Sequence, residues 1–172
     1  FQDFGQQKLL VEVGSTDAKL EGDRALVRSQ PTALGVMVAT AMMQRTHADF
    51  AVVNAGGVRD SLPAGTLNYK DVLKVHPFGN TIVTVDLRGD EVLRYLNAAA
   101  AMTPGAGAFA QFAGIQLLIS GGSVKEARLG SQAIDSAKTY RMAINNFMAS
   151  GGDGYPKLSN HPAFVDTGFV DA

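Results

Sequence analysis

Cysteine is absent from this sequence. That removes disulfides, thiolate metal sites, iron–sulfur clusters and cysteine nucleophiles together. A charge surplus is absent too: fifteen Lys and Arg stand against sixteen Asp and Glu, a net charge of −1. Generic nucleic-acid binding needs a basic excess, so no nucleic-acid partner is expected. A local group of arginines remains free to meet a small anion. Long apolar runs are missing as well. The alanine-rich stretch from Leu96 to Met102 falls far short of the ~18–20 residues of a membrane-spanning helix, and no membrane partner is expected. There is no signal-peptide pattern, and the chain opens on Phe1 rather than methionine, which reads as a fragment or a processed product.

Several catalytic signatures are lacking. There is no GxxxxGK phosphate loop, no GxSxG elbow, no HExxH, no HxH and no paired DxD. The three histidines offer little: His47 and Asp49 form an H-x-D, while His76 and His161 each precede a proline. A catalytic metal site usually needs three convergent protein ligands. The expectation is therefore no metal and no cofactor in this chain. Gly105-Ala106-Gly107-Ala108-Phe109-Ala110 is a loose dinucleotide-type match, but it follows a helical segment rather than a strand and is discounted.

What remains is a chain of 172 residues, 46% apolar and 18% charged. A chain of this length buries about 70% of its unfolded surface and sustains one domain with a real core. Leu9 to Gly14 reads as a strand ended by glycine. Thr32 caps a helix carrying Leu34, Val38, Ala41 and Met42 at helical spacing, and its scarcity of polar residues predicts burial on most sides. Asp49 to Val53 reads as a buried strand running into Asn54-Ala55-Gly56-Gly57-Val58-Arg59-Asp60. Asn68 caps a short helix over 69–75 that Pro77 stops, with Asp71 near the positive end of its dipole. Thr81 to Leu87 is rich in β-branched residues and reads as a strand. Asp90 to Met102 forms a second long helix facing the core through Val92, Leu93, Leu96, Ala99 and Ala100. A Gly/Pro loop follows over 104–107. Segments 115–119 and 124–129 flank Ser120-Gly121-Gly122-Ser123 as a hairpin. Thr139 to Asn145 is another strand, and the remainder reads as loop. Hairpins alternate with helices without a strict βαβ rhythm, which predicts an α+β fold of mixed sheets packed with helices.

Three segments could carry chemistry. The 54–60 loop combines small residues, which let a backbone approach a ligand, with the planar fork of Arg59, suited to phosphate or carboxylate; a plain tight turn is the alternative. In His76-Pro77-Phe78-Gly79-Asn80 the aromatic sits where it is easily left exposed to stack on a base, or else it caps the core. Asn145 to Pro156 contains Gly-Gly-Asp-Gly, able to present a carboxylate to a ligand, or an Asx-type turn.

Together these segments resemble a known family. Asn-Ala-Gly-Gly-Val-Arg (54–59), His-Pro-Phe-Gly-Asn (76–80) and Asn-Phe-Met-Ala-Ser-Gly-Gly-Asp-Gly-Tyr (146–155) are similar to the C-terminal domain of the 5'-nucleotidases. The bacterial periplasmic members that also hydrolyse UDP-sugars match best. Gly22-Asp23-Arg24 with Arg28, Lys138 to Met142 and Val165 to Asp171 extend the likeness from about Leu9 to Asp171. The resemblance implies a 5'-nucleotidase C-terminal domain-like fold over the whole chain. It implies a substrate-binding domain whose partners are nucleotides or nucleosides and its own N-terminal metallophosphoesterase domain. That domain, absent here, would hold two divalent metal ions and perform the hydrolysis, so the fragment alone is expected to be inactive. A periplasmic location is implied likewise.

Carried over position by position, Phe78 and Phe147 sandwich the base and Asp153 accepts from the ribose hydroxyls. Asn80 and Gly107 line the nucleoside pocket, and Asn54 stands beside the base. Arg24, Arg28 and Arg59 hold the phosphates. Departures exist: Ala55 replaces the first glycine of the usual Asn-Gly-Gly-Gly run, Ala33 stands where many relatives have Asn, and relatives continue past Asp171 with another helix. Two rivals stay open. One is a nucleotide-binding module or sensor without a catalytic partner. The other is a structural domain, which predicts Phe78 and Phe147 buried apart.

Overall fold

The computed structural model describes residues 7–172. Its elements in chain order are β1 (Glu12–Thr16), α1 (Arg24–Val27), α2 (Ala33–Thr46), β2 (Phe50–Asn54), β3 (Gly65–Asn68), α3 (Tyr69–Val75), β4 (Thr81–Arg88), α4 (Gly89–Ala100), β5 (Ala110–Ala113), β6 (Gln116–Ser120), β7 (Ser123–Leu129), β8 (Gln132–Ala133), β9 (Thr139–Asn145), α5 (Asn146–Ala149) and β10 (Phe164–Val170). The mixture of helices with mostly antiparallel sheets is the α+β class that the sequence predicts.

The start and stop of the helices follow from local chemistry. Thr32 Oγ1 accepts from the Gly35 N–H at 3.1 Å and opens α2. His47, in the left-handed region at φ 52°, closes it. At α3, Asn68 accepts from the Asp71 N–H while the Asp71 carboxylate accepts from the Asn68 N–H, at 3.2 and 3.1 Å, a reciprocal capping box. The β6–β7 hairpin turns on Gly121 and Gly122, both at positive φ. That is the backbone a two-residue primed turn requires.

A five-stranded sheet, ordered β10-β4-β9-β2-β5, forms the centre. β2 and β9 run parallel, with Phe50 opposite Met142 and Ala51 opposite Ala143. The other neighbours are antiparallel. Side chains alternate across the sheet as the pleat demands. Phe50, Val52, Val83, Val85, Leu87, Met142 and Ile144 enter one core with Val92 and Leu96 of α4. Ala51, Val53, Ile82 and Ala143 enter the other, with Leu34, Val38, Ala39 and Met42 of α2. Both faces are covered, which is why β2 is buried at every position.

The register determines where the loops emerge. β2 and β9 are parallel, so they release the chain at the same edge, at Asn54 and Asn145. β4 is antiparallel to β9 with Ile82 opposite Asn145, so the 76–80 turn enters from that edge. β5 is antiparallel to β2 with Ala110 opposite Asn54, so the 104–109 loop arrives there too.

Three expectations are corrected. The first strand begins at Glu12 rather than Leu9, residues 7–9 being helical, and it runs through Gly14 to Thr16. Gly14 marks a register shift against β3 instead of an end. Helix α2 is not buried on most sides: Val36, Met37 and Ala41 are exposed, because only its sheet-facing side has a partner. The final segment, read as loop, contains β10 at the sheet's edge. Its mostly exposed alternate positions give it no amphipathic signature.

One buried side chain ties the first helices to the sheet. Gln111 of β5 donates through Nε2 to the carbonyls of Val27 and Gln30 at 2.7 and 2.8 Å. Its Oε1 accepts from the Thr32 N–H at 3.1 Å. Gly35 leaves room for it, since a Cβ there would lie 2.6 Å from the Gln111 side chain. Gln111→Met, similar in shape but unable to make these bonds, is expected to lower stability by roughly 2–4 kcal/mol through three abandoned backbone groups, read by chemical denaturation.

On the opposite rim, Arg141 donates to both Asp86 oxygens at 2.7 and 3.0 Å across the β4–β9 ladder. This hydrogen-bonded charge holds the Asp86 carboxyl below its ordinary value of 3.8. A depressed folded value means the pair stabilises fully above 3.8 and fades as the pH falls below it through the lowered value. The melting-temperature gap between the native protein and Asp86→Asn should therefore be constant near neutrality and close in acid. The contribution of this half-exposed pair is under about 1 kcal/mol.

Candidate functional site

The loops collected at one edge of the sheet enclose a cavity of about 390 Å³ lined by Arg28, Asn54, Gly56, Gly57, Arg59, Phe78, Asn80, Gly107, Phe147 and Asp153. Every site residue singled out in the sequence is in that lining except Arg24. Arg24 opens α1, one turn before Arg28 at its C-cap, and its charge is felt at Arg28. Gly56 and Gly57 are additions. The 56 and 107 backbones meet through a Gly56 N–H to Gly107 carbonyl bond of 2.7 Å. A Cβ on Gly56 would come within 3.2 Å of Gly107, a crowded contact that glycine avoids where the two loops approach.

The two phenylalanines are held at the surface. Phe78 is 58% exposed on the 76–80 turn, and Phe147 is 43% exposed at the start of α5. A structural domain would bury these rings apart; instead both face one cavity. The Asn145 side chain caps α5 by accepting from the Met148 N–H at 2.8 Å, which sets the direction of Phe147. Gly152 lies beneath the ring, where a Cβ would meet Phe147 at 2.5 Å. The turn bearing Phe78 is anchored behind. Asn80 Nδ2 donates to Asp171 Oδ2 at 3.3 Å, and the Asp171 N–H donates to the Asn80 carbonyl at 2.9 Å. His76, buried, places Nδ1 3.6 Å from the same carboxylate.

The polar groups of the lining carry both signs, with Arg28 and Asp153 both close to Gly107. Burial pulls the Arg28 guanidinium below its ordinary value, and the charges of Arg24 and Arg59 add to that, while Asp153 opposes it. The Arg59 guanidinium carbon lies 5.7 Å from the Phe78 ring centroid. Asp153 adopts φ 57°, ψ 13°, a left-handed conformation that aspartate tolerates better than most residues. It accepts from Asn54 Nδ2 at 2.8 Å. Tyr155, two residues on, donates its hydroxyl to the Ala108 carbonyl at 2.6 Å, fastening this turn to the loop bearing Gly107. Burial raises the Tyr155 hydroxyl above its usual range, and the nearby Asp153 charge adds to that shift, so it remains a donor throughout neutral pH.

Among the described residues no three His, Cys, Asp or Glu side chains group to hold a metal ion. His47 closes α2, and Asp49 Oδ2 accepts from the Arg141 N–H at 2.7 Å. A larger groove of about 610 Å³ runs along α2 to Phe169 and Val170. It is mainly apolar, with Arg45 stacked 3.9 Å over Phe169. Chemistry rather than volume selects the smaller cavity, whose lining pairs two exposed phenylalanines with two arginines and Asp153, whereas the groove is mostly aliphatic.

The family model described as "5'-nucleotidase, C-terminal domain" matches residues 12–160. The chain belongs to the 5'-nucleotidase C-terminal domain family. It is 52% identical over its full length to the 5'-nucleotidase of Vibrio cholerae serotype O1 and 49% identical to protein UshA of Escherichia coli K12. It covers 31% of the length of each of these relatives. The crystal structure of the 5'-nucleotidase precursor from Thermus thermophilus superposes with a TM-score of 0.86 at 32% identity, over 98% of this chain and 36% of that one.

Gln111, which supports α1 and hence Arg28, carried no sequence signal beyond one polar residue in an apolar segment. Tyr155→Phe tests the tie between the two turns. Leaving the Ala108 carbonyl unpaired is expected to cost about 1–2 kcal/mol and to speed amide exchange over 104–109, followed by hydrogen exchange.

Proposed function

We propose that this domain is the substrate-holding part of a 5'-nucleotidase that acts on nucleoside phosphates and UDP-sugars. The base lies between Phe78 and Phe147, with Asn54 beside it and Asn80 and Gly107 along the nucleoside. The ribose hydroxyls donate to Asp153, and the phosphates reach Arg28, Arg59 and Arg24. The observation that carries this reading is one cavity in which two exposed rings, a carboxylate and like-charged arginines converge. Rings left at the surface forgo burial, and stacking a base returns roughly 1–3 kcal/mol each with little selectivity among bases. The mutual repulsion of the arginines, felt at Arg28, is relieved by a bound phosphate, whose oxygens suit the guanidinium fork.

The described residues do not fit a pair of divalent metal ions, so no hydrolytic step is assigned to them. In this reading the metals belong to an N-terminal metallophosphoesterase domain outside this chain, and the domain described here contributes positioning. A periplasmic setting accompanies the reading.

Calorimetric titration with adenosine tests it. Saturable binding is expected, weakened about tenfold or more in Phe147→Ala, a loss set by the stacking increment. Equal affinity in the variant would place the base elsewhere. A well-folded sample that binds no adenosine would overturn the reading for this domain on its own.

A further inference from the structure

We infer that Asn145 is a positioning residue for the nucleotide pocket, acting on Asp153 through Asn54. This rests on the reading that Asp153 receives ribose hydroxyls.

The argument is one of hydrogen-bond polarity. Asn145, 1% exposed, accepts the Met148 N–H through Oδ1 at 2.8 Å. Its Nδ2 donates to Asn54 Oδ1 at 3.0 Å. Asn54, also buried, then donates its own Nδ2 to Asp153 Oδ2 at 2.8 Å. The chain begins at a backbone N–H, which can only donate, and ends at a carboxylate, which can only accept. Both amides between them are therefore oriented in one sense, and neither can flip without setting acceptor against acceptor. Asn145 thus does two things with one side chain: it caps the helix that aims Phe147, and it holds Asn54 with its donor toward Asp153. Asn54 occupies only Oδ2 of Asp153, so Oδ1 is left for the ligand.

Asn145→Asp separates this role from the cap, because an aspartate still accepts from the Met148 N–H. It loses the donor to Asn54 and brings a second carboxyl group into the same buried network. Asn54 then turns its Nδ2 toward residue 145 and presents Oδ1 to Asp153, and the carboxylate is pushed from its place.

The test uses the full-length protein, with AMP and its 2',3'-dideoxy analogue as substrates. Asn145→Asp is expected to lower kcat/KM for AMP about tenfold, chiefly through KM, and to change the dideoxy analogue less than about twofold. The double variant Asn145→Asp with Asp153→Asn restores donor-to-acceptor pairing along the reversed chain, so its melting temperature should exceed that of Asn145→Asp alone. Equal losses on both nucleotides, no loss on either, or no recovery of stability in the double variant would each overturn the inference. Asp153→Asn by itself separates the two ideas. If it discriminates AMP from the analogue while Asn145→Asp does not, the pocket reading stands and the role of Asn145 fails. If Asp153→Asn leaves that discrimination untouched, the ribose reading fails, and the inference with it.

Discussion

The parallel pairing of β2 with β9 is the constraint on which the rest depends. In a sheet otherwise antiparallel, it is the one arrangement that brings two strand ends, Asn54 and Asn145, out side by side. The antiparallel partners on either flank then deliver their incoming turns to the same edge. The site is assembled from segments far apart in sequence because the register leaves those segments no other exit. A slip of one residue in β9 would exchange Met142 and Ile144 with Ala143 across the pleat, and the two cores forbid it.

The second theme is that polar groups at the site are supported by buried amides, Gln111, Asn54 and Asn145, that hydrogen-bond through both ends. Gln111 serves three backbone groups, and through Val27 it holds the helix that carries Arg28. Asn54 joins Asp153 to the end of β2. Such networks are stabilising when satisfied and costly when one member is lost. Within the cavity lining, Arg28 contrasts with them, its Nε buried and without a hydrogen-bond partner among the described residues. That unpaired donor, beside Arg24 and Arg59, is where an anion would offset the most unfavourable electrostatics.

Much of this was legible in the sequence because it depends on local chemistry. Thr32, Asn68 and Pro77 mark helix ends by capping and by a missing N–H, and the run over 81–87 announces a strand through β-branching. The short strands β3 and β5 and the edge strand β10 were not legible. Their residues are too few or too evenly exposed to show a period, and pairing with β1, β2 and β4 makes them strands. The exposed side of α2 could not be read because composition says nothing about which neighbours are present. The site residues were found through spaced motifs rather than periodicity, and folding brings all but Arg24 into one lining. Gln111 escaped because its partners lie 79 to 84 residues away in sequence, and the tie from Asn145 to Asn54 because it spans 91.

The central claim is that the edge where β2 and β9 end is where a nucleoside binds. Backbone and side-chain NMR shifts recorded as adenosine is added test it directly. The account predicts perturbations concentrated at Asn54, Phe78, Gly107, Phe147 and Asp153. Perturbations concentrated instead along Met37, Ala41, Phe169 and Val170 would contradict it.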